Sequence, residues 1–453
     1  MSQPVRLDHS LEQRHVTMMA IAGVIGAGLF VASGHIINMA GPAALIAYIM
    51  AGGLATIITR MLGEMAFASP DTGSFSVYAE RAIGPWAGFT IGWLYWWTWV
   101  MVLPMETNIA GIILHAWFPA IPVWIMVLAI TLFLTATNLL NVKNYGEFEF
   151  WFALIKVVAI ITFLVLGFSA MINIWPYGNV SGIAQLTAKG GFMPNGFGAV
   201  ILAMFSTIFA FIGTEIAAIA AAESKNPAKQ IAMASRSIIW RIFILYVGSM
   251  TVIVSLIPWN DPNLITIGPF RYVLERMDIP YAGFFIDAIV LTAVLSCFNS
   301  GLYTASRMLF SLSTRGHAPI AMRLVARNGS PQFAVIASSL VGFIAVIANY
   351  AAPEAVFGFL MSTTGATILL MYIVIAVSQL RMRRQLEAAN QPIGLKTWFY
   401  PWLTWATIFC MIAITLMMLI REETRSAVIS TTLLGFIIVG IALFIQHRNH
   451  QRS

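Results

Sequence analysis

The sequence predicts an all-α membrane protein with twelve transmembrane helices, ten of which form a five-plus-five inverted repeat. Three observations support this fold class. The 453 residues are 59% hydrophobic and only 9% charged, with a mean hydropathy of +0.83, whereas a typical soluble domain has about 25% charged residues. Apolar runs of about 20 residues, long enough to cross a hydrocarbon core, succeed one another along the chain. The first and sixth runs are interrupted at matching positions, which is typical of inverted repeats with broken helices 1 and 6.

Twelve apolar segments are long enough to be spans. They lie near residues 16–40, 43–67, 85–116, 122–142, 147–173, 194–222, 236–258, 281–314, 332–350, 354–380, 398–420 and 426–446. We therefore expect a cytoplasmic N-terminal segment (1–15), a ten-helix core (16–380, in halves 16–173 and 194–380), a cytoplasmic loop (381–397), helices 11 and 12 (398–446) and a cytoplasmic tail (447–453). No loop is long enough to form a separate domain.

The distribution of basic residues predicts the orientation of the chain. Of 25 Lys and Arg residues, 15 fall in segments placed in the cytoplasm, five in external segments, and five within the bounds of the spans, namely Arg60, Lys156, Arg236, Arg241 and Arg307. This asymmetry follows the positive-inside rule. It also explains the net charge of +7 without a nucleic-acid partner. Residues 1–15 are polar and lack the pattern of a cleaved signal peptide, so we expect a multi-pass inner-membrane protein with both termini in the cytoplasm.

The first interruption lies in the stretch AIAGVIGAGLF, which has glycines at Gly23, Gly26 and Gly28. A glycine in a helix interior costs about 1 kcal/mol relative to alanine. Small residues also let neighbouring helices approach closely, and taken alone this explanation is at least as good as a break. The second interruption, Gly213 beside Glu215 in TIFAFIGTEIAAIAAAES, favours two broken helices.

A broken helix in a membrane indicates a ligand site, because unpaired backbone groups are tolerated only where they line a cavity or are covered by protein. In the first span, the backbone at Ile25, Gly26, Ala27 and Gly28 would open a half-helix whose N-terminus suits a carboxylate. In the sixth, carbonyls of Phe209, Ala210, Phe211 and Ile212 would end a half-helix and accept hydrogen bonds from an ammonium group. The two breaks together predict a site for an amino acid zwitterion, with Gly23, Gly213 and Glu215 maintaining the unwound geometry.

Long strings across the chain resemble one family. They are GVIGAGLF, GPAALIAYIMAG, EMAFASPDTGSFSVYA, YGEFEFWFALIKV, GGFMPNGFGAV, AAESKNP and YTASRML. The sequence is similar to the amino acid transporter family of the amino acid–polyamine–organocation (APC) superfamily, and most similar to its bacterial branch that carries 4-aminobutyrate. The resemblance implies a LeuT-like fold and proton-driven uptake of an amino acid. Relatives on the same scaffold carry aromatic, basic or small neutral amino acids, so the substrate and the choice between symport and exchange stay open.

Ionisable residues inside spans are costly and are functional candidates by default. Lys156 has no acid within a turn on its C-terminal side, and Glu149 lies two turns before it on nearly the same face. We expect an isolated amine that can gain and lose a proton at working pH. The resemblance also implies this role, because proton-coupled members place a fifth-span lysine against the broken first span. The alternative is a permanently charged lysine that hydrogen-bonds the unwound carbonyls.

Other candidates lie in the third, sixth and eighth spans. Glu106 could bind the substrate ammonium or could anchor a neighbouring helix. In 4-aminobutyrate the ammonium lies farther from the carboxylate than in an α-amino acid, so its partner should lie away from the first break, and Glu106 is the candidate. The resemblance suggests Phe209 as an aromatic lid over the substrate. Ser296 and Asn299 could line the cavity or bind neighbouring backbone. Near the cytoplasm, Arg60 and Glu64 are four residues apart, which is compatible with an internal gate but favours an ion pair along the helix.

The sequence offers no candidate enzyme chemistry. Motifs of serine hydrolases, zinc proteases and P-loop nucleotide binding do not occur. Cys297 and Cys410 have no spacing that indicates a metal or redox site. We expect no enzyme and no cofactor, with the proton as coupling ion and a small amino acid and membrane lipid as partners. A channel or transceptor on the same fold is the alternative class, and the oligomeric state is open.

Overall fold

The structure, a computed structural model, consists of α-helices, tight turns and loops in the part of the chain that it describes. This part comprises residues 12–22, 25–71, 73–139, 142–176, 182–216, 226–326, 328–351 and 353–450. The helical class of the predicted fold is confirmed.

The helices follow one another along the described part of the chain. Those of the first half are α1 (Gln13–Ala22), α2 (Ala27–Phe30), α3 (Ala32–Ala40), α4 (Ala44–Ala68), α5 (Ser74–Ala82), α6 (Pro85–Trp117), α7 (Val123–Leu139) and α8 (Val142–Met171). The rest of the chain forms α9 (Gln185–Ala188), α10 (Gly196–Phe209), α11 (Pro227–Arg241), α12 (Gly248–Leu256), α13 (Asn263–Thr266), α14 (Pro269–Arg276), α15 (Ala282–Thr314), α16 (Gln332–Ala351), α17 (Pro353–Ala388), α18 (Trp402–Ile420) and α19 (Glu422–His450). A π-helical stretch, Ile242–Val247, joins α11 to α12.

Helices suited to a membrane account for the predicted apolar segments. Within the described residues, eight helices are long and apolar enough to cross a bilayer, and three shorter apolar helices accompany them. One of the eight, Gly28–Ala68, covers parts of two predicted spans, because only the short 3-10 turn Gly41–Ala43 separates α3 from α4. The chain is thus a multi-pass helical membrane protein.

Both predicted interruptions are present. The first span stops at the end of α1 and resumes at α2, and Ile25 and Gly26 between them are not helical. In the sixth span, α10 ends at Phe209 and residues 210–215 form turns. Gly213 has a φ of +94°, a conformation that glycine adopts without the steric cost of a side chain. The continuation at 217–225 lies outside the described residues.

The interrupted helices lie inside the bundle. The most extensive helix contact is between α6 and α15, while α1 packs on α8 and α11, and α10 packs on α3 and α4. The last two helices are peripheral: α18 and α19 contact each other, α17 and, for α19, α6. Leu416, Phe436 and Phe444 on these helices are 56%, 69% and 68% exposed, which suits contact with lipid.

The predicted ion pair between Arg60 and Glu64 is wrong. The Arg60 Nε donates instead to the carbonyl of Lys396 at 3.0 Å. Glu64, only 2% exposed, accepts hydrogen bonds from the Gln379 side chain at 3.1 Å and from the backbone N–H of Thr397 at 2.5 Å. Both residues therefore attach the loop before α18 to the C-terminal part of α4. A buried carboxylate gains more from a backbone donor than from an exposed pair along its own helix.

Candidate functional site

The two helix breaks lie directly against each other. A methyl group added at Gly28 would lie 2.7 Å from the Ala210 Cα, far inside van der Waals contact. At Gly26 the same addition would lie 3.0 Å from the Glu106 Oε1 and 3.0 Å from the Cys297 Cβ. Glycine at these two positions thus permits the close approach. The breaks that the sequence predicts in separate spans form a single region at the centre of the bundle.

Lys156 joins this region from α8. Its side chain is fully buried, and its Nζ donates to the Ile25 carbonyl at 3.2 Å and to the Ser296 Oγ at 2.8 Å. The Ile25 carbonyl is at the point where the first span stops being helical, so the amine replaces part of the lost helical hydrogen bonding. Lys156 is in contact with the first break, but the expectation of an isolated amine is wrong.

A polar cluster on α15 and α8 surrounds the lysine. Ser296 donates from its Oγ to the Glu149 Oε1 at 2.6 Å, so one hydroxyl contacts both the amine and a buried carboxylate. Asn299 accepts at its Oδ1 from the Asn138 side chain at 2.7 Å. Neither Ser296 nor Asn299 is exposed by more than 3%. Their predicted role in substrate binding stays a prediction, and their contacts in this structure are with protein groups.

Glu106 lies beside the first break rather than at a distance from it. Its carboxylate is close to the position of a Gly26 side chain, and the Cys297 thiol is within its hydrogen-bonding reach. The residue is 2% exposed. A carboxylate at this point places a second acid near Lys156, so that Glu106 and Glu149 are the acids beside the lysine in the part of the chain that the structure describes.

At the sixth-span break, backbone carbonyls already have partners from protein. The Ala210 carbonyl accepts the Tyr246 hydroxyl at 3.1 Å, and the Phe211 carbonyl accepts the Thr214 N–H at 3.3 Å. The Phe211 ring packs on the Tyr246 ring with centroids 4.8 Å apart. Because each carbonyl has a second lone pair, these contacts leave capacity for an ammonium group. Ile212 is also buried.

Glu215 holds the turn that follows this break. Its two oxygens lie 3.2 and 3.1 Å from the Gly213 N–H, and its Oε1 accepts the Tyr95 hydroxyl at 3.0 Å. The Thr214 hydroxyl lies 3.5 Å from its Oε2. These contacts are those of a residue that maintains the unwound geometry.

Replacing this acid by its amide is expected to destabilise the protein. In Glu215→Gln, an NH2 group would face groups that also donate hydrogen bonds, and each unsatisfied buried donor costs about 1 to 3 kcal/mol. Tyr95→Phe, which removes one donor and leaves the Gly213 contact intact, is expected to have a smaller effect. Thermal unfolding in detergent measures both variants. An unchanged melting temperature in Glu215→Gln would contradict this role.

Some predicted site residues cannot be assessed. Gly23 lies outside the described residues, and so do the side chains of Ala27 and Phe209. The lid role of Phe209 therefore stays a prediction. Ile25, by contrast, is fully buried, and its carbonyl contacts Lys156.

Three residues at this site have no role in the sequence interpretation. They are Glu149, Cys297 and Tyr246. Glu149 has a usable signal, because it lies two turns from Lys156 on the same face of α8. Cys297 directly follows Ser296, which the sequence already offers as a candidate. Tyr246 has no such signal, because its contact with the sixth-span break arises from tertiary packing between separate spans.

The broken helices that meet in a buried polar centre define a membrane transporter. A model of the Amino acid permease family matches residues 15–452. The chain belongs to this family, and it is therefore a transporter rather than an enzyme. Its bacterial relatives place it in the inner membrane.

Among curated relatives, the chain is 58% identical to a probable GABA permease of Pseudomonas aeruginosa over 96% of its own length and 91% of the relative's. It is 56% identical to the gamma-aminobutyric acid permease of Escherichia coli, over 97% of this chain and 94% of the relative. It is 39% identical to the aromatic amino acid transport protein AroP of Corynebacterium glutamicum, over 96% of this chain and 94% of the relative. The predicted family is confirmed.

A solved structure has a similar fold. A point mutant of the Eremococcus coleocola manganese transporter superposes with a TM-score of 0.60 at 14% identity, and the match covers 97% of this chain and 95% of that one. At this identity the likeness shows the fold alone.

Proposed function

We propose that this permease imports 4-aminobutyrate, or a closely related amino acid, together with protons by alternating access. The observation that best supports the transport mechanism is the direct contact of the two breaks, with Lys156 bonded to one of them. The relatives named for this substrate share 56–58% of their residues with the chain over nearly its whole length, which supports the choice of substrate.

The proposal includes the full topology. The described helices, together with the turn that separates α3 from α4, are sufficient for twelve crossings with both termini in the cytoplasm. Spans 1–5 and 6–10 form the inverted repeat, and α18 and α19 are added outside it. Transport requires no cofactor other than the proton. The substrate shifts the equilibrium between outward-open and inward-open forms through its different affinity for each.

Each part of the zwitterion has a proposed partner. The carboxylate binds the backbone amides at Gly26, Ala27 and Gly28, where α2 begins. The ammonium group binds carbonyls of the sixth-span break and the Glu106 carboxylate. Lys156 is the proton carrier, because a titratable amine bonded directly to the first break can couple its charge to the geometry of that break.

Competition for uptake tests the choice of substrate. Purified protein in proteoliposomes takes up radiolabelled 4-aminobutyrate in the presence of an excess of one unlabelled amino acid at a time. We expect ω-amino acids to inhibit strongly and aromatic, basic and α-amino acids to inhibit weakly. Strong inhibition by aromatic amino acids with weak inhibition by ω-amino acids would refute the proposed substrate and leave the family unchanged.

Glu106→Gln is expected to weaken 4-aminobutyrate binding. A hydrogen bond to a charged group contributes about 1.5 to 3 kcal/mol, so the apparent affinity should fall by about tenfold or more. Concentration dependence of uptake measures this, with the exposed acid Glu422 changed to Gln as a matched control. Wild-type affinity in Glu106→Gln would show that this carboxylate does not contact the substrate.

A further inference from the structure

Lys156, Ser296 and Glu149 form a continuous hydrogen-bonded chain. The Lys156 Nζ donates to the Ser296 Oγ at 2.8 Å, and the same hydroxyl donates to the Glu149 Oε1 at 2.6 Å. All three side chains are fully buried. A hydroxyl that accepts one hydrogen bond and donates another can pass a proton along the direction of donation. The direction here is from the amine to the carboxylate.

We infer that Glu149 is a second proton carrier, which receives the proton of Lys156 through the Ser296 hydroxyl as it leaves for the cytoplasm. This inference rests on the proposed function, in which Lys156 carries the coupling proton. The contacts of Lys156 with the first break do not by themselves give the proton a route to water, and Glu149 provides one.

The transfer is balanced in atoms and charge. One N–H bond of the Lys156 ammonium breaks as its proton bonds to the Ser296 Oγ, and the original Oγ–H bond breaks as that proton bonds to the Glu149 Oε1. Serine is regenerated with its hydrogen bonds reversed. An ammonium and a carboxylate become a neutral amine and a neutral acid, so the transfer leaves neither Lys156 nor Glu149 as an unpaired buried charge. This matters because an isolated buried charge is far more costly than a neutral or paired group.

The position of Glu149 gives the direction of exit. It precedes Lys156 by seven residues on α8, which is about 10 Å along the helix axis. Two residues before it, Glu147 has a side chain that is 33% exposed and pairs with His15 at 3.1 Å and with Arg14. Glu149 is therefore the buried acid between the central break and the exposed end of α8, which the proposed topology places at the cytoplasmic side.

Glu149 also has an oxygen available for onward transfer. Its Oε2 has no partner at hydrogen-bonding geometry among the described residues, although the side chains of Asn299 and Ser300 also lie against the carboxylate. A protonated carboxyl group has one donor and remaining acceptor positions, so water that reaches Oε2 in the inward-open form can remove the proton. One oxygen thus accepts the hydrogen bond of Ser296, and the other is the atom from which water would remove the proton.

The test compares two modes of transport in proteoliposomes. Accumulation of radiolabelled 4-aminobutyrate under an inward proton gradient requires the proton to be released in each cycle. Counterflow exchange, in which internal unlabelled 4-aminobutyrate drives entry of label, requires only substrate binding and movement of the carrier. In Glu149→Gln, we expect accumulation to fall by about a hundredfold, the range of one proton-transfer group, while counterflow stays close to that of the unchanged protein.

Ser296→Ala is the second variant, because it removes the central hydroxyl and leaves both titratable groups in place. It should lose accumulation as Glu149→Gln does. Because Ser296 is also a predicted substrate-binding residue, the apparent affinity for 4-aminobutyrate in counterflow is measured as well, and a weakened affinity would assign Ser296 to the binding site rather than to the proton path. Glu147→Gln is the matched control, an acid on the same helix that is partly exposed and outside the chain of hydrogen bonds, and it should retain both modes of transport.

The inference is overturned if Glu149→Gln accumulates substrate normally, or if it loses counterflow as strongly as accumulation, since the second result indicates a structural role. Loss of accumulation in Lys156→Met with normal accumulation in Glu149→Gln would refute the role of Glu149 as second proton carrier and leave the role of Lys156 intact. Normal accumulation in Lys156→Met would refute the proposed coupling residue. Absence of both modes in the unchanged protein would refute 4-aminobutyrate as the substrate.

Discussion

Gly28→Ala is expected to abolish transport, although it adds a single methyl group. That methyl would lie 2.7 Å from the Cα of Ala210 and 3.2 Å from its Cβ. Neither atom is the end of a flexible side chain, so one break must move away from the other. Overpacking of this kind costs about 1 to 3 kcal/mol, and each 1.4 kcal/mol corresponds to a factor of about ten in an equilibrium constant. This overpacking destabilises the two helix breaks, which form the proposed substrate site.

Gly53→Ala is the matched control, because a methyl group there would have no atom within 4 Å. In the interior of α4, this exchange should stabilise the helix by about 1 kcal/mol. Gly28→Ala is thus expected to lower the melting temperature and abolish uptake. Gly53→Ala is expected to raise the melting temperature and retain uptake. Normal uptake by Gly28→Ala would show that close contact between the breaks is not needed for transport.

Lys156→Met is expected to separate coupling from movement of the substrate. Methionine keeps most of the length of the side chain and loses the titratable amine, together with its hydrogen bonds to Ile25 and Ser296. Accumulation under a proton gradient should fall by about a hundredfold or more, and its dependence on external pH should disappear. Counterflow should persist at a reduced rate, because the contact with the first break is also lost.

The control for this variant is Lys229→Met, which removes the same charge from an exposed position on α11. It should leave accumulation and its pH dependence unchanged. Accumulation by Lys156→Met that still depends on pH would assign the coupling proton to another group and leave Lys156 as a structural lysine.

The helix breaks could be predicted from sequence because their signals are local. Glycines and an acid within apolar runs are costly unless the helix is interrupted there. Gly26 and Gly213 lie where the chain unwinds, and Gly28 lies in the short helix α2 directly after the first break. The contact of Gly28 with Ala210 could not be predicted in the same way. It depends on the packing of two spans that are far apart in sequence.

Reasoning from a single helix failed where a distant segment supplied the partner. The spacing of Arg60 and Glu64 favoured a pair along α4, but backbone groups of Lys396 and Thr397 approach from the loop before α18. Lys156 was expected to be isolated for a similar reason. One of its polar partners, Ser296, belongs to α15, and Ser296 also brings Glu149 into the same hydrogen-bonded chain.

Proton-driven accumulation of 4-aminobutyrate tests the central proposal most directly. Unchanged protein in proteoliposomes is given radiolabelled 4-aminobutyrate outside and an inward proton gradient, with and without a protonophore. We expect the internal concentration to rise above the external one and to return to it when the protonophore is added. Uptake that stops at equal concentrations and is insensitive to the protonophore would contradict proton coupling and indicate a channel or an uncoupled carrier.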